Sequence, residues 1–430
     1  MTCGVLFEQK LCMHGTLVLR FSLSRRTVER AMHAWKIVAA IVEVCRDGLH
    51  AKRAAALRRA VAALVAGGVL SLSALALRLN GPTALKHRIK SVDRLLGNRA
   101  LHKQRPELYA ALARRWLAGL RTVMLVVDWS DATRDQRWQW LRASVVVEGR
   151  SVTLYEEVHP QKRYAHRRVH RQFLARVAAI LPAGCVPIVM TDAGFQSTWF
   201  QLVSELGWSF IGRIRGRVQV CAPESSHWVP AKALYAQAGS EARDLGPMRY
   251  VRSHPATVRL VLARRPKKDR QRLTLRGRKR RCKASRQCAR REREPWLLAV
   301  SAELHHLSAQ AIVALFAQRM RIEQTFRDTK NLRVGLGLEV SRSQGTQRLE
   351  MLLLIAHLAS FVQRLIGEEA KARQLELQFM ATRRITRPEI SVMTLGRRLL
   401  NAPDHWPDRF TPWKAIPTLT LQAVNACRPT

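Results

Sequence analysis

The sequence predicts an α/β protein in which a mixed sheet is flanked by helical regions. Three observations carry this. Residues 29–115 follow a helical period rich in Ala and Arg. Residues 116–216 break into short apolar runs bounded by turn residues and interleaved with amphipathic helices. A helix over roughly residues 308–332 sets one carboxylate between two cations.

In chain order, residues 1–28 show no clear period and read as an extension. Further on, Ser73 is placed to cap a short helix and Asn80-Gly81-Pro82 to turn the chain. Thr83 is placed to cap a second helix reaching Leu96, which Gly97-Asn98 closes. Two short helices joined by a tight turn, residues 73–97, resemble a helix-turn-helix. The second carries an apolar stripe of Leu85, Ile89, Val92 and Leu96. Its polar side offers Lys86, His87, Lys90 and Arg94, with Arg99 just beyond, as candidate DNA contacts. A basic amphipathic helix with no specific role fits the same pattern.

Beyond Trp116 the period becomes that of a sheet. Val123 to Val127 is an apolar run ending at Asp128, Leu141 to Val147 a second, and Ser151 to Val158 a third after the Glu148-Gly149-Arg150 turn. A helix with Val169, Phe173, Val177 and Ile180 on one side follows, then a fourth strand ending at Asp192, a helix and a fifth strand near Trp208 to Ile214. Three meandering strands, helix, strand, helix, strand is the order of a ribonuclease-H-like core with a mixed five-stranded sheet. Residues 217–300 then read as a β-rich basic insertion, residues 301–345 as the last part of the core, and residues 346–430 as a helical C-terminal region. Residues 29–115 form the helical DNA-binding domain of this scheme and 116–216 the first part of the core.

The charge says what such a protein binds. The 430 residues carry a net charge of +43, and Lys and Arg fill sixteen of the thirty positions from Arg264 to Arg293. Self-repulsion on this scale calls for a polyanion, and nucleic acid supplies one through phosphate contacts and counterion release. The eight cysteines are scattered, and Cys282 and Cys288 have no second pair at zinc-site spacing, which fits free thiols in a reducing cytosol. No secretory signal is evident at the start, and Gly67-Gly68 with Ser71 and Ser73 breaks the uncharged stretch Ala60 to Leu77, so no membrane partner is expected.

The chemistry rests on three carboxylates. Asp128 and Asp192 each end an apolar run, and strand ends are where α/β active sites lie. On the later helix Phe316, Arg319, Glu323 and Lys330 fall within about 60° of one another at 100° per residue. Two strand-end carboxylates with a third on a packed helix suit two divalent cations, and oxygen ligands favour Mg²⁺ or Mn²⁺. Asp131 competes for the strand-end role, with Asp135, Glu156 and Glu157 as weaker rivals. The helix spacing alone leaves a solvated ion-pair ladder equally open.

From about Leu70 to Leu365 the chain resembles the DDE insertion-sequence transposases of the Y-R-E-K branch. The matching segments include Arg94-Leu95-Leu96-Gly97-Asn98, Val127-Asp128-Trp129-Ser130-Asp131, Gly149-Arg150-Ser151-Val152-Thr153-Leu154-Tyr155-Glu156 and Asp192-Ala193-Gly194-Phe195. They continue in Glu294-Pro295-Trp296, Arg319-Met320-Arg321-Ile322-Glu323 and Gly335-Leu336-Gly337-Leu338. The resemblance implies that Asp128, Asp192 and Glu323 are catalytic and hold two Mg²⁺ or Mn²⁺ ions per active site. It implies that Arg319 and Lys330 grip a phosphate, with Phe316 standing where the family has Tyr, and that Trp296 stacks a base flipped from the duplex. The basic segment before the signature helix matches the family's strand-rich insertion. The implied activity is cut-and-paste transposition in bacterial cytoplasm, at the nucleoid. A dimer would hold two double-stranded transposon ends in a synaptic complex, cleave them through hairpins and join them to target DNA. The alternative is a weakened or inactive relative that binds DNA only, and the Phe316 replacement is what raises it.

Overall fold

The computed structural model describes residues 25–428 apart from 46–47, 217, 254, 265–277, 279–281, 284, 288–293, 381–389, 403–404 and 407–410. Most of the expected extension at residues 1–28, most of the basic block and Cys288 therefore lie outside the described residues.

Six helices come first: α1 (Arg25–Val44), α2 (Ala51–Val65), α3 (Leu72–Arg78), α4 (Leu85–Leu96), α5 (Arg99–Lys103) and α6 (Arg105–Leu117). The caps differ from expectation by a residue or two. Ser71, not Ser73, caps α3, its hydroxyl accepting from the Ala74 amide at 3.3 Å. Thr83 caps nothing, because α4 begins after Ala84 and a side chain one position too early misses the open amides. The buried stripe of α4 is Val92, Leu95 and Leu96, while Leu85 at its start is 39% exposed. Lys86, His87, Lys90, Arg94 and Arg99 are all exposed.

The sheet begins with β1 (Thr122–Asp131), β2 (Trp138–Val147) and β3 (Arg150–Pro160). Then come α7 (Arg167–Ile180), β4 (Val186–Thr191), α8 (Ser197–Glu205) and β5 (Ser209–Ile214). β4 is parallel to both β1 and β5, β2 is antiparallel to β1 and β3, and the spatial order is β3-β2-β1-β4-β5. The chain order of these strands and helices is the one the sequence predicts. The sheet does not stop at five strands, however. β6 (Gln219–Cys221), β7 (Val229–Pro230), β8 (Arg243–Tyr250), β9 (Ala256–Ala263) and β10 (Trp296–Val300) continue it to ten. β10 pairs with β5 on one side and β9 on the other, and its residues Leu297 to Val300 are buried. The β5 edge is thereby covered, which leaves no open row of backbone donors and acceptors.

The single helix predicted near residues 308–332 is two helices, α9 (Ala309–Ala317) and α10 (Arg321–Lys330), joined by a 3₁₀ turn at Gln318–Met320. A 3₁₀ residue turns 120° rather than 100°, so three of them rotate α10 by about 60° relative to α9. α11 (Thr346–Ala372) runs through the interior against β3, α2 and α12 (Val392–Asn401), and α13 (Ala415–Ala426) packs on β1 and β2. α11 is the one helix among the described residues long and apolar enough to cross a membrane, and 94% of its apolar window is buried inside the fold. It passes α12 at backbone contact, where a side chain at Gly367 or Gly396 would strike the Val392 or Gln363 carbonyl. Glu350 on α11 ties the N-terminal helices to the core, accepting from His102, Arg105 and the Val158 amide.

Candidate active site

The site begins with strand register. β1 and β4 are parallel neighbours with Val126 paired to Met190. Counting two residues on brings Asp128, which lies inside β1 and not at the strand end the sequence suggests, level with Asp192, just past the end of β4. Each carboxylate is fixed by a local amide. Asp128 Oδ1 accepts from the Trp129 amide at 2.8 Å, and Asp192 Oδ1 from the Gly194 amide at 2.8 Å. Burial, then the neighbouring charge of Asp192, pushes the Asp128 carboxyl up to about 7, against the pull of Arg319.

Arg319 closes the other side. It stands in the 3₁₀ turn, donates from Nη1 to Asp128 Oδ2 at 3.1 Å and from Nη2 to Glu323 Oε1 at 3.0 Å. Glu323, on the first turn of α10, is therefore joined to Asp128 through a guanidinium. Lys330 lies at the far end of the same helix, and its Nζ donates to Ser130 Oγ at 2.6 Å. Burial lowers its pKa to about 8. Phe316 keeps Arg319 as a neighbour, the guanidinium carbon lying 6.0 Å from its ring. It is 2% exposed and meets Trp296 edge-on at 4.9 Å. Trp296 opens β10 and is half-buried.

The competing acids are occupied elsewhere. Glu156 is fully buried and accepts from Tyr109, Trp140 and Arg142 at 2.9, 2.9 and 2.8 Å. Glu157 binds Tyr155, His159 and Arg176. Asp135 closes a surface turn with Thr133 and Arg137, and Asp131 accepts from Gln136 and Gln139.

Among the described residues no three acidic, His or Cys side chains converge on one point as a metal-ligand group. Arg319 is the reason on the helix side, since it fills the gap between Asp128 and Glu323. The donor set is one of carboxylate oxygens, which suits a hard divalent cation, and burial with the nearby charge of Asp192 raises the Asp128 carboxyl despite Arg319. Glu323 is 44% exposed and is held by Arg319.

Aromatic side chains that the sequence reading did not single out rim the acids. Trp129 Nε1 donates to His170 Nε2 at 3.2 Å, and its ring lies 5.2 Å from that of Tyr164. Trp129 directly follows Asp128, which is the one sequence signal that could have found it.

These features define a chain in which Asp128 of β1 and Asp192 just after β4 meet under a cationic helix turn. The sequence model of the family described as a transposase DDE domain matches residues 121–361, more than half of the chain, and the chain belongs to that family. No curated protein matches it.

Proposed function

We propose that the chain is a DNA transposase that binds the terminal inverted repeats of its own insertion sequence and moves it by cut-and-paste. The observation that carries this is the level placement of Asp128 and Asp192 on adjacent parallel strands, with Arg319 linking Asp128 to Glu323. Asp128, Asp192 and Glu323 would hold two Mg²⁺ or Mn²⁺ ions. Such a pair activates the attacking water or 3′-hydroxyl and neutralises charge on the leaving oxygen.

The chain's own residues supply the rest. Arg319 exchanges its hold on Glu323 for a DNA phosphate, which frees that carboxylate. Lys330 donates to the same backbone from beside Ser130. Trp296 receives a base lifted from the duplex when the freed 3′-hydroxyl attacks the opposite strand and closes a hairpin; stacking of this kind is worth about 1–3 kcal/mol. Lys86, His87, Lys90, Arg94 and Arg99 contact the repeat, and two protomers hold two ends in the synaptic complex. The test uses a labelled duplex carrying the inverted repeat that flanks the gene. Asp128→Asn and Glu323→Gln bind it as the wild type does and fail to nick it in Mg²⁺. Nicking that survives either change removes the triad.

A further inference from the structure

The strand β3 leaves the sheet at Pro160 into a 3₁₀ turn, Gln161–Arg163, and Tyr164 follows it. Ala165 next to it holds a left-handed backbone at φ 55°, an unusual conformation for a residue with a Cβ and one that turns the chain sharply into α7. The turn sets Tyr164 at the carboxylates. Its ring is 43% exposed and leans on Trp129, the residue whose amide holds Asp128. Its hydroxyl comes against the backbone of Gly194, whose amide holds Asp192. A Cβ built at Gly194 would lie 3.5 Å from the Tyr164 hydroxyl and 3.0 Å from Asp192 Oδ1. The hydroxyl and the Asp192 carboxylate thus lie on either side of Gly194, close enough that a larger residue there would crowd the carboxylate.

That hydroxyl has no hydrogen-bond partner within the described residues. Lys162 and Arg163, immediately before it, are exposed and form no ion pair among the described residues. A free phenol donor beside a cluster of acids, flanked by two unpaired cations, matches the chemistry of a phosphodiester strand drawn across those acids.

We infer that Tyr164 is a substrate-contacting residue of the active site, its hydroxyl donating to a DNA phosphate oxygen beside Asp192 while Lys162 and Arg163 track the neighbouring backbone. This rests on the function proposed above. It adds a second element, the β3–α7 loop, to the phosphate grip that Arg319 and Lys330 provide from the signature helix.

Tyr164→Phe removes the hydroxyl and keeps the ring on Trp129, so its thermal melt matches the wild type. Assayed on the duplex carrying the flanking inverted repeat in Mg²⁺, it binds normally and nicks about tenfold more slowly or worse, the worth of one hydrogen bond to a charged group. Removing Lys162 and Arg163 together (both to Ala) lowers the salt slope of binding by about two. A wild-type chain that nicks the duplex and a Tyr164→Phe chain that nicks it equally fast overturn this inference alone. A wild-type chain that leaves the duplex intact overturns the proposed function and this inference with it.

Discussion

Arg319 and Asp128 are joined at 3.1 Å, and the same guanidinium reaches Glu323 at 3.0 Å, so one cation holds two of the three acids of the site. Arg319 to Ala deprives Asp128 of its counter-charge beside Asp192. Protonation of Asp128 absorbs part of that loss, leaving a cost to stability on the order of 1–3 kcal/mol. The larger effect falls on nicking, which drops by about 10²–10³-fold if Arg319 stabilises charge on the phosphate. Arg319→Lys does not restore it, because an ammonium cannot span two carboxylates as a planar fork does. A Mn²⁺-dependent rise in melting temperature persists in Arg319→Ala and disappears in Asp128→Asn. Equal metal stabilisation in all three chains would take Asp128 out of the ligand set.

Lys330 gives a pH-dependent test. Burial holds its pKa at about 8, below the ordinary 10.5. The folded chain therefore binds fewer protons than the unfolded one between those values, and the cost of burying the charge is relieved as pH rises through that window. Lys330→Met should melt higher than the wild type at about pH 7, and the difference should shrink toward pH 10. Nicking runs the other way, since a phosphate contact needs the charged amine. The Lys330→Met chain nicks poorly at every pH, and the wild type loses rate as pH rises past 8. A melting difference that grows with pH would refute the assignment of the shift to burial.

Glu156 tests the scaffold apart from the chemistry. It takes hydrogen bonds from Tyr109 on α6 and from Trp140 and Arg142 on β2, joining the N-terminal helices to the sheet. Arg142 in turn donates to Thr329 at 3.4 Å, one residue before Lys330. Glu156→Gln strands the buried Arg142 charge, and loss of one partner from a buried pair costs about 3–5 kcal/mol. Denaturant unfolding reads that loss as a lowered midpoint. A midpoint within experimental error of the wild type would mean that the Arg142–Glu156 pair does not hold the helices to the sheet.

Much of this site was legible because its determinants are local. Apolar runs leading into Asp128 and Asp192 mark the two strands, although β1 runs on to Asp131, and the parallel pairing of β1 with β4 brings the two acids level. Residue spacing likewise placed Arg319 and Glu323 one turn apart, which holds across the 3₁₀ turn. What escaped the sequence is set by distant or irregular structure. The break between α9 and α10 escaped because a tightened turn carries no signal in residue type. The extension of the sheet to ten strands depends on β10 returning to β5 across some eighty residues. Tyr164 approaches Gly194 through a left-handed turn at Ala165, an alanine with nothing in its neighbourhood to announce it.

Phe316 and Trp296 close the argument, because the edge-on contact between them at 4.9 Å couples two roles. Phe316→Tyr places a hydroxyl on a ring that is 2% exposed, which costs about 1–3 kcal/mol unless the phenol finds an acceptor. The melting temperature should fall, and nicking should stay within about threefold of the native chain, a barrier change under 1 kcal/mol. A gain of about tenfold or more would instead identify the native chain as a weakened relative. Trp296→Ala separates packing from base stacking. Loss of packing lowers the melting temperature and leaves the ratio of hairpin to nicked product unchanged. Loss of a stacked base lowers that ratio by about fivefold or more while nicking continues, as the value of a base–aromatic contact requires. An unchanged ratio returns Trp296 to the core of β10 and removes it from the reaction.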